Sequence, residues 1–208
     1  KLWLVGKSQP EACDALFSQW QRSGGLTDEL RWQRAKLAAE AGQYGLASSL
    51  IRQLPGLTHK GQLLVEVAQK PQLLKQTGKF VPADRQMADV VGLGLRRMAR
   101  QNPEQAIEWL EFYGNRLPFS SEEKVAIARS IGLTLAKRFD ARALKVMAQY
   151  DPELRDNTVS EWRTRLLLRL GRWNEAHELT LKLPQELAST PRWRYWQARS
   201  LQLAQPQN

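Results

Sequence analysis

RWQRAKLAAEAGQYGLASSLIRQLP, residues 31–55, and SEWRTRLLLRLGRWNEAHELTLKLP, residues 160–184, are one pattern written twice. At constant offset Arg34 falls on Arg163, Leu37 on Leu166, Gly42 on Gly171, Tyr44 on Trp173, Ala47 on Ala176, Leu50 on Leu179, Leu54 on Leu183 and Pro55 on Pro184. In each copy a helical stretch runs up to the glycine, an aromatic follows two residues later, and a second helical stretch closes at Leu-Pro. The glycine ends the first helix, the ring plugs the turn, the small alanine lets the two helices approach closely, and the Leu-Pro closes the second. Each copy is predicted to be a helical hairpin.

The same periodicity extends along the chain, and no stretch shows the strict alternation of a half-buried strand, so the predicted fold class is all-α. Asn102-Pro103 with Gln105, Ser120 with Glu123, and Thr190-Pro191 read as helix starts. Gly24-Gly25, Gly42, Pro55, Gly114, Gly171 and Pro184 read as ends, leaving about ten to twelve helices joined by short turns. Short turns force antiparallel neighbours, and the internal match favours a solenoid over a compact bundle. The expectation is one α-superhelical domain over 1–208, an irregular superhelix of antiparallel hairpins that is tetratricopeptide-like in places but has no countable period.

With 208 residues, 42% of them hydrophobic, the chain can bury a core. Lys and Arg number 31 against 21 Asp and Glu, a net charge of +10 that favours an anionic partner: nucleic acid, a lipid surface or an acidic polymer such as a cell wall. No apolar run approaches the roughly 20 residues of a transmembrane helix. The chain starts at Lys1 without an initiator Met or a signal-peptide pattern, and so reads as a processed or excised piece.

Cys13 is the single cysteine, and only His59 and His177 accompany it, so no cofactor and no metal site is expected. In PEACDALFSQW, Cys13, Leu16, Phe17 and Trp20 share one helical stripe, which makes Cys13 either a buried thiol or half of a disulfide with a cysteine outside the chain.

Nothing reads as a catalytic centre, and the expectation is a chain inactive on its own. Glu122 and Glu123 are adjacent and do not face each other on a helix, whereas Glu108 and Glu111 share a face but suit solvated, helix-supporting roles. Gly92-x-Gly94 lacks the strand and the third glycine of a phosphate loop and reads as close helix packing. In TPRWRYWQAR, residues 190–199, the apolar residues Trp193, Tyr195, Trp196 and Ala198 spread around the helix, with Leu201 and Leu203 beyond, as if it packed on two sides. Arg192, Arg194 and Arg199 would then form a cationic rim through cation–π contacts or acidic partners, and are the candidate ligand-binding residues.

KLWLVGKSQPEACDALFSQW at residues 1–20, ADRQMADVV at 83–91, the two hairpins and PRWRYWQARSL at 191–201 together resemble the soluble lytic transglycosylases of Gram-negative bacteria, more closely at both ends than between about Gly61 and Val81. The resemblance implies a periplasmic lyase that cleaves the MurNAc–GlcNAc bond of peptidoglycan to leave 1,6-anhydromuramoyl ends. It also implies a helical superhelix forming part of a ring on which the catalytic domain sits. The family's single acid–base glutamate lies in a Glu-Ser pair, followed by Gly-Leu-Met-Gln, in a lysozyme-like C-terminal domain, and neither motif occurs here. The family would pair Cys13 with a cysteine N-terminal to Lys1. The partners implied are peptidoglycan, the missing catalytic domain and other periplasmic proteins, with no nucleic acid. Two other readings compete: a helical-repeat adaptor binding protein in a concave groove, and an RNA-binding solenoid, for which two related hairpins supply too few readout positions.

Overall fold

The computed structural model describes residues 2–205, and among these every regular element is helical. Twelve α-helices follow in chain order among the described residues: α1 Asp14–Arg22, α2 Asp28–Glu40, α3 Tyr44–Ile51, α4 Thr58–Gln69, α5 Arg85–Gln101, α6 Pro103–Gly114, α7 Ser121–Lys137, α8 Arg142–Tyr150, α9 Asn157–Arg169, α10 Trp173–Leu181, α11 Gln185–Ala188 and α12 Pro191–Ala204. Short 3-10 turns fill the gaps before α1 and α4 and between α4 and α5. The chain gathers into two compact units, residues 1–98 with 108–120 and residues 99–107 with 121–208, so the division falls inside α5 and α6.

The two copies of the pattern are two hairpins, alike down to their hydrogen bonds. Thr27 caps α2 by accepting from the Leu30 amide, and Asp156 caps α9 by accepting from those of Thr158 and Val159. At the far ends, the Gln43 amide donates to the Ala38 carbonyl at 2.8 Å and the Gly42 amide to Ala39 at 3.1 Å. The Arg172 amide donates to Leu167 at 3.0 Å and the Gly171 amide to Leu168 at 3.2 Å. This reversal needs a left-handed residue, and Gly42 and Gly171 supply it at φ +78° and +70°. Ala47 and Ala176 are wholly buried where the second helix crosses back.

A third hairpin, α7–α8, has the same reversal without a glycine. The Asp140 amide donates to Leu135 and the Phe139 amide to Ala136, both at 3.0 Å, and Phe139 holds φ +58°. Its two helices touch closely because α7 offers Gly132, where an added Cβ would come within 2.6 Å of Met147 Cγ.

In the first unit, α2 and α5 are joined by buried and part-buried polar bonds. Buried Trp32 donates its indole N–H to Asp89 at 2.7 Å, and the Lys36 ammonium donates to the other Asp89 oxygen. Arg97 donates to the last carbonyls of α2, Ala39 at 3.1 Å, which also accepts from the Gly42 amide, and Glu40 at 2.8 Å. Gly94, from the Gly-x-Gly pair, sits where a Cβ would lie 2.3 Å from Val67 Cγ1, so close packing of α5 on α4 accounts for it. Tyr113 donates to the Leu74 carbonyl at 2.6 Å, and burial pushes its phenol up to about 12.

In the second unit, Leu154, Leu167, Leu168, Ala176, Leu179, Leu183 and Trp193 form one apolar cluster, with Trp173, Leu187 and Trp196 packed on it. The last helix meets this cluster by one stripe, not two: Trp193 and Ser200 are buried and Trp196 half-buried, while Tyr195 is 60% exposed. Helix α12 does begin at Pro191, but the Thr190 hydroxyl turns away from it and donates back to the Leu187 carbonyl at 2.8 Å.

These packings separate two kinds of glycine by experiment. Gly42→Ala meets open space and only the backbone penalty, an expected loss of about 1 kcal/mol. Gly94→Ala meets Val67 and Leu74 and should cost about 1–3 kcal/mol by overpacking. Urea unfolding of both variants measures the difference; a smaller loss at Gly94 than at Gly42 contradicts the packing described.

Candidate functional site

The carboxylates that a glycosidic reaction would need are scattered. Glu122 and Glu123 occupy the first turn of α7, where negative charge favours the helix dipole, and Glu108 and Glu111 are exposed on α6. Among the described residues no group of three His, Cys, Asp or Glu is placed to hold a metal ion. His59 is exposed, and His177 on α10 is half-buried with its Nδ1 3.0 Å from the Gln197 carbonyl of α12. Cys13 carries a free, half-buried thiol at the end of a 3-10 turn.

The N-terminal segment is held by aromatic rings. Trp3 meets Phe17 edge-on at 5.0 Å and Trp20 at 6.0 Å between centroids, and donates its indole N–H to the Leu30 carbonyl at 3.2 Å. The Arg34 guanidinium stacks 4.1 Å from the Trp3 ring centre. Leu16, on the same helical stripe, stays 55% exposed and lines a shallow groove with Leu2, Trp3, Phe17 and Trp20.

Arginine is used here as a structural donor as much as a surface charge. Arg34 on α2 and Arg163 on α9, equivalent in the two hairpins, each reach a backbone carbonyl earlier in the chain, Lys7 at 3.5 Å and Asp151 at 3.2 Å. Burial lowers the pKa of both, against the pull of Asp151 in the case of Arg163.

The three arginines of the last helix are placed differently. Arg192 and Arg194 are exposed and Arg199 half-buried, with one guanidinium nitrogen 2.6 Å from Gln202 Oε1. At about 3.6 residues per turn, Arg192 and Arg199 share a face and Arg194 lies on nearly the opposite one. The cation–π contacts of this region come instead from Arg165 on α9, 5.3 Å from the Trp162 ring and 5.9 Å from Trp193. Glu161 ties these together, accepting from Arg165 at 3.2 Å and from the Trp193 indole at 3.4 Å.

A second cationic surface lies at the α7–α8 turn. Lys137 and Arg138 are exposed beside Phe139, and Arg169, at the end of α9, places its guanidinium 4.9 Å from the Phe139 ring centre. Arg142 bridges Asp140 and Glu104, with Glu104 Oε1 at 2.9 Å. The Arg142 hydrogen bond holds the Asp140 carboxyl below the usual carboxylate range, and Asp140 in turn raises the guanidinium.

This arrangement of helices has counterparts among solved structures. The lytic transglycosylase Slt of Pseudomonas aeruginosa, solved as an inactive glutamate-to-glutamine mutant, is 68% identical over 99% of this chain and 34% of its own, with a TM-score of 0.94. The chain is homologous to part of the soluble lytic transglycosylases. The 70-kDa soluble lytic transglycosylase of Escherichia coli shares the fold at a TM-score of 0.72 and 25% identity, over 96% of this chain and 33% of its own. The soluble lytic murein transglycosylase of Salmonella typhimurium is 30% identical over 95% of this chain. The chain spans 31% of the length of that curated relative, about a third. A family model described as Cucumovirus coat protein matches residues 1–79. That match stops short of the third hairpin and of the whole second pattern copy, whereas the lytic transglycosylases span both.

For this lytic transglycosylase segment, the feature missed in the sequence is Phe139. In AKRFDARAL the glycine that marks a hairpin turn is replaced, so α7–α8 lacks the signal that exposed the other two. The pH response tests the bonding at this turn. A carboxyl whose pKa is lowered on folding stabilises above its unfolded value, about 3.9, and loses that contribution as pH falls through the lowered one. Asp140→Asn is therefore expected to be less stable than wild type at about pH 6, with the gap narrowing by about pH 3 in urea unfolding. A constant gap would mean that the charge on Asp140 contributes nothing.

Proposed function

We propose that this chain is a non-catalytic helical scaffold of a periplasmic peptidoglycan lytic transglycosylase, which positions a catalytic domain and guides anionic glycan strands toward it. The observation that carries this reading is the 68% identity to the Pseudomonas aeruginosa lytic transglycosylase over 99% of the chain. Under it, residues 1–208 form one α-superhelical domain, part of a larger ring, and Cys13 pairs with a cysteine outside the chain. Peptidoglycan strands carry carboxylates on their peptides, and on the lactyl groups wherever the peptide has been removed, so a net charge of +10 gives a diffuse attraction. Exposed residues such as Lys137, Arg192 and Arg194 are cations able to supply it.

Such attraction works at a distance set by the ionic strength, with a screening length of about 30 Å at 0.01 M salt and about 3 Å at 1 M. The chain should therefore sediment with purified sacculi at low salt and be released at high salt. Alone it should produce no 1,6-anhydromuropeptides by mass spectrometry, beside active Pseudomonas aeruginosa Slt as the positive control. Product from this chain alone would return Glu108, Glu111, Glu122 and Glu123 to consideration as catalytic groups. Absence of binding, or binding indifferent to salt, would set aside strand guidance and leave the helical-repeat adaptor as the better reading.

A further inference from the structure

The residue that the fold accounts for least is Phe139. At the equivalent turns Gly42 and Gly171 take the left-handed conformation without a side chain to object. Phe139 takes it with a bulky one, at φ +58°, a region where β-carbon and carbonyl crowd each other. Burial does not compensate, because the ring is 53% exposed. A strained backbone that carries an exposed aromatic, where glycine would close the same turn, points to a use for the ring.

The surroundings specify what that use can be. The Arg169 guanidinium lies 4.9 Å from the ring centre, and about half of the residue stays open to solvent. The turn beneath is fixed by the Arg142–Asp140–Glu104 bridge and by the Arg142 amide, which donates to Asp140 at 2.9 Å. Lys137 and Arg138 precede Phe139 in the chain as exposed cations, Arg138 lying 4.0 Å from Glu104, and Leu170, next to Arg169 in the chain, is an exposed aliphatic at 38%. One ring and one leucine make too small an apolar patch for a stable protein interface or a membrane anchor. A flat ring face bordered by cations suits instead a pyranose, whose axial C–H bonds pack on the aromatic while a carboxylate nearby meets Lys137 or Arg138.

We infer that Phe139, backed by Arg169 and preceded by Lys137 and Arg138, is a stacking platform for a sugar ring of a carboxylate-bearing glycan strand. This rests on the peptidoglycan reading above and adds to it a named contact point on the helical segment.

The test uses this chain with soluble GlcNAc–MurNAc strands freed of peptide, measured by calorimetry at low salt, together with thermal melting. Phe139→Gly removes both ring and strain, and is expected to melt at the wild-type temperature or about 2–4 °C above it, while binding weakens about tenfold. Phe139→Trp keeps an aromatic face and should bind within about threefold of wild type. A Phe139→Gly variant that melts well below wild type would make the ring structural and overturn the platform. If wild type and Phe139→Gly bind equally, the platform falls while the peptidoglycan reading stands. If wild type binds neither these strands nor sacculi, both fall together.

Discussion

Three left-handed residues, Gly42, Phe139 and Gly171, are the constraint on which the hairpins depend. Helices of 8 to 17 residues, such as α3 and α7, are marginal alone in water and persist only by laying an apolar stripe on a neighbour. To do so the chain must reverse within a few residues, and the reversal leaves the last carbonyls of each first helix in need of donors. The paired amide bonds at Gln43 and Gly42, Asp140 and Phe139, and Arg172 and Gly171 meet that need. Everything packed between the paired helices, from Ala47 to Met147 to Ala176, is brought into register by those turns.

What was legible in the sequence followed from which physical rules act locally. Gly42 and Gly171 announced their turns because glycine is favoured at positive φ, and Gly94 could be read as packing because it had no strand before it. The α7–α8 hairpin was opaque because its turn residue breaks that preference. The inward stripe of α12 was also misjudged: Tyr195 and Trp196 are alike in composition, and only the position of the Leu154–Trp193 cluster decides which ring is covered. Arg192, Arg194 and Arg199 read in the sequence as a cationic rim, and helical geometry sets Arg194 nearly opposite the other two. Assigning the segment to lytic transglycosylases rested on longer stretches, residues 1–20 and 191–201, whose particular combination says more than periodicity does.

The charge balance carries a similar lesson. A net charge of +10 looks like a binding reserve, but many arginines are already committed. Arg97 donates to helix-end carbonyls, Arg34 and Arg163 to carbonyls earlier in the chain, Arg165 to Glu161, and Arg142 to Asp140 and Glu104. A guanidinium taken from water needs acceptors, so the buried ones hold backbone in place and are poorly available to a ligand. The net positive field is left to the cations that remain solvated, and it is diffuse for that reason.

The hairpin turns also bear on how the chain comes to be folded. The partners within α2–α3 all lie between residues 28 and 51, and those of α9–α10 between 157 and 181. Contacts this close in sequence cost little loop entropy to close and form quickly. A nascent chain can therefore complete one hairpin before the next has been synthesised, and its apolar stripes spend little time exposed to the neighbours with which they would otherwise aggregate.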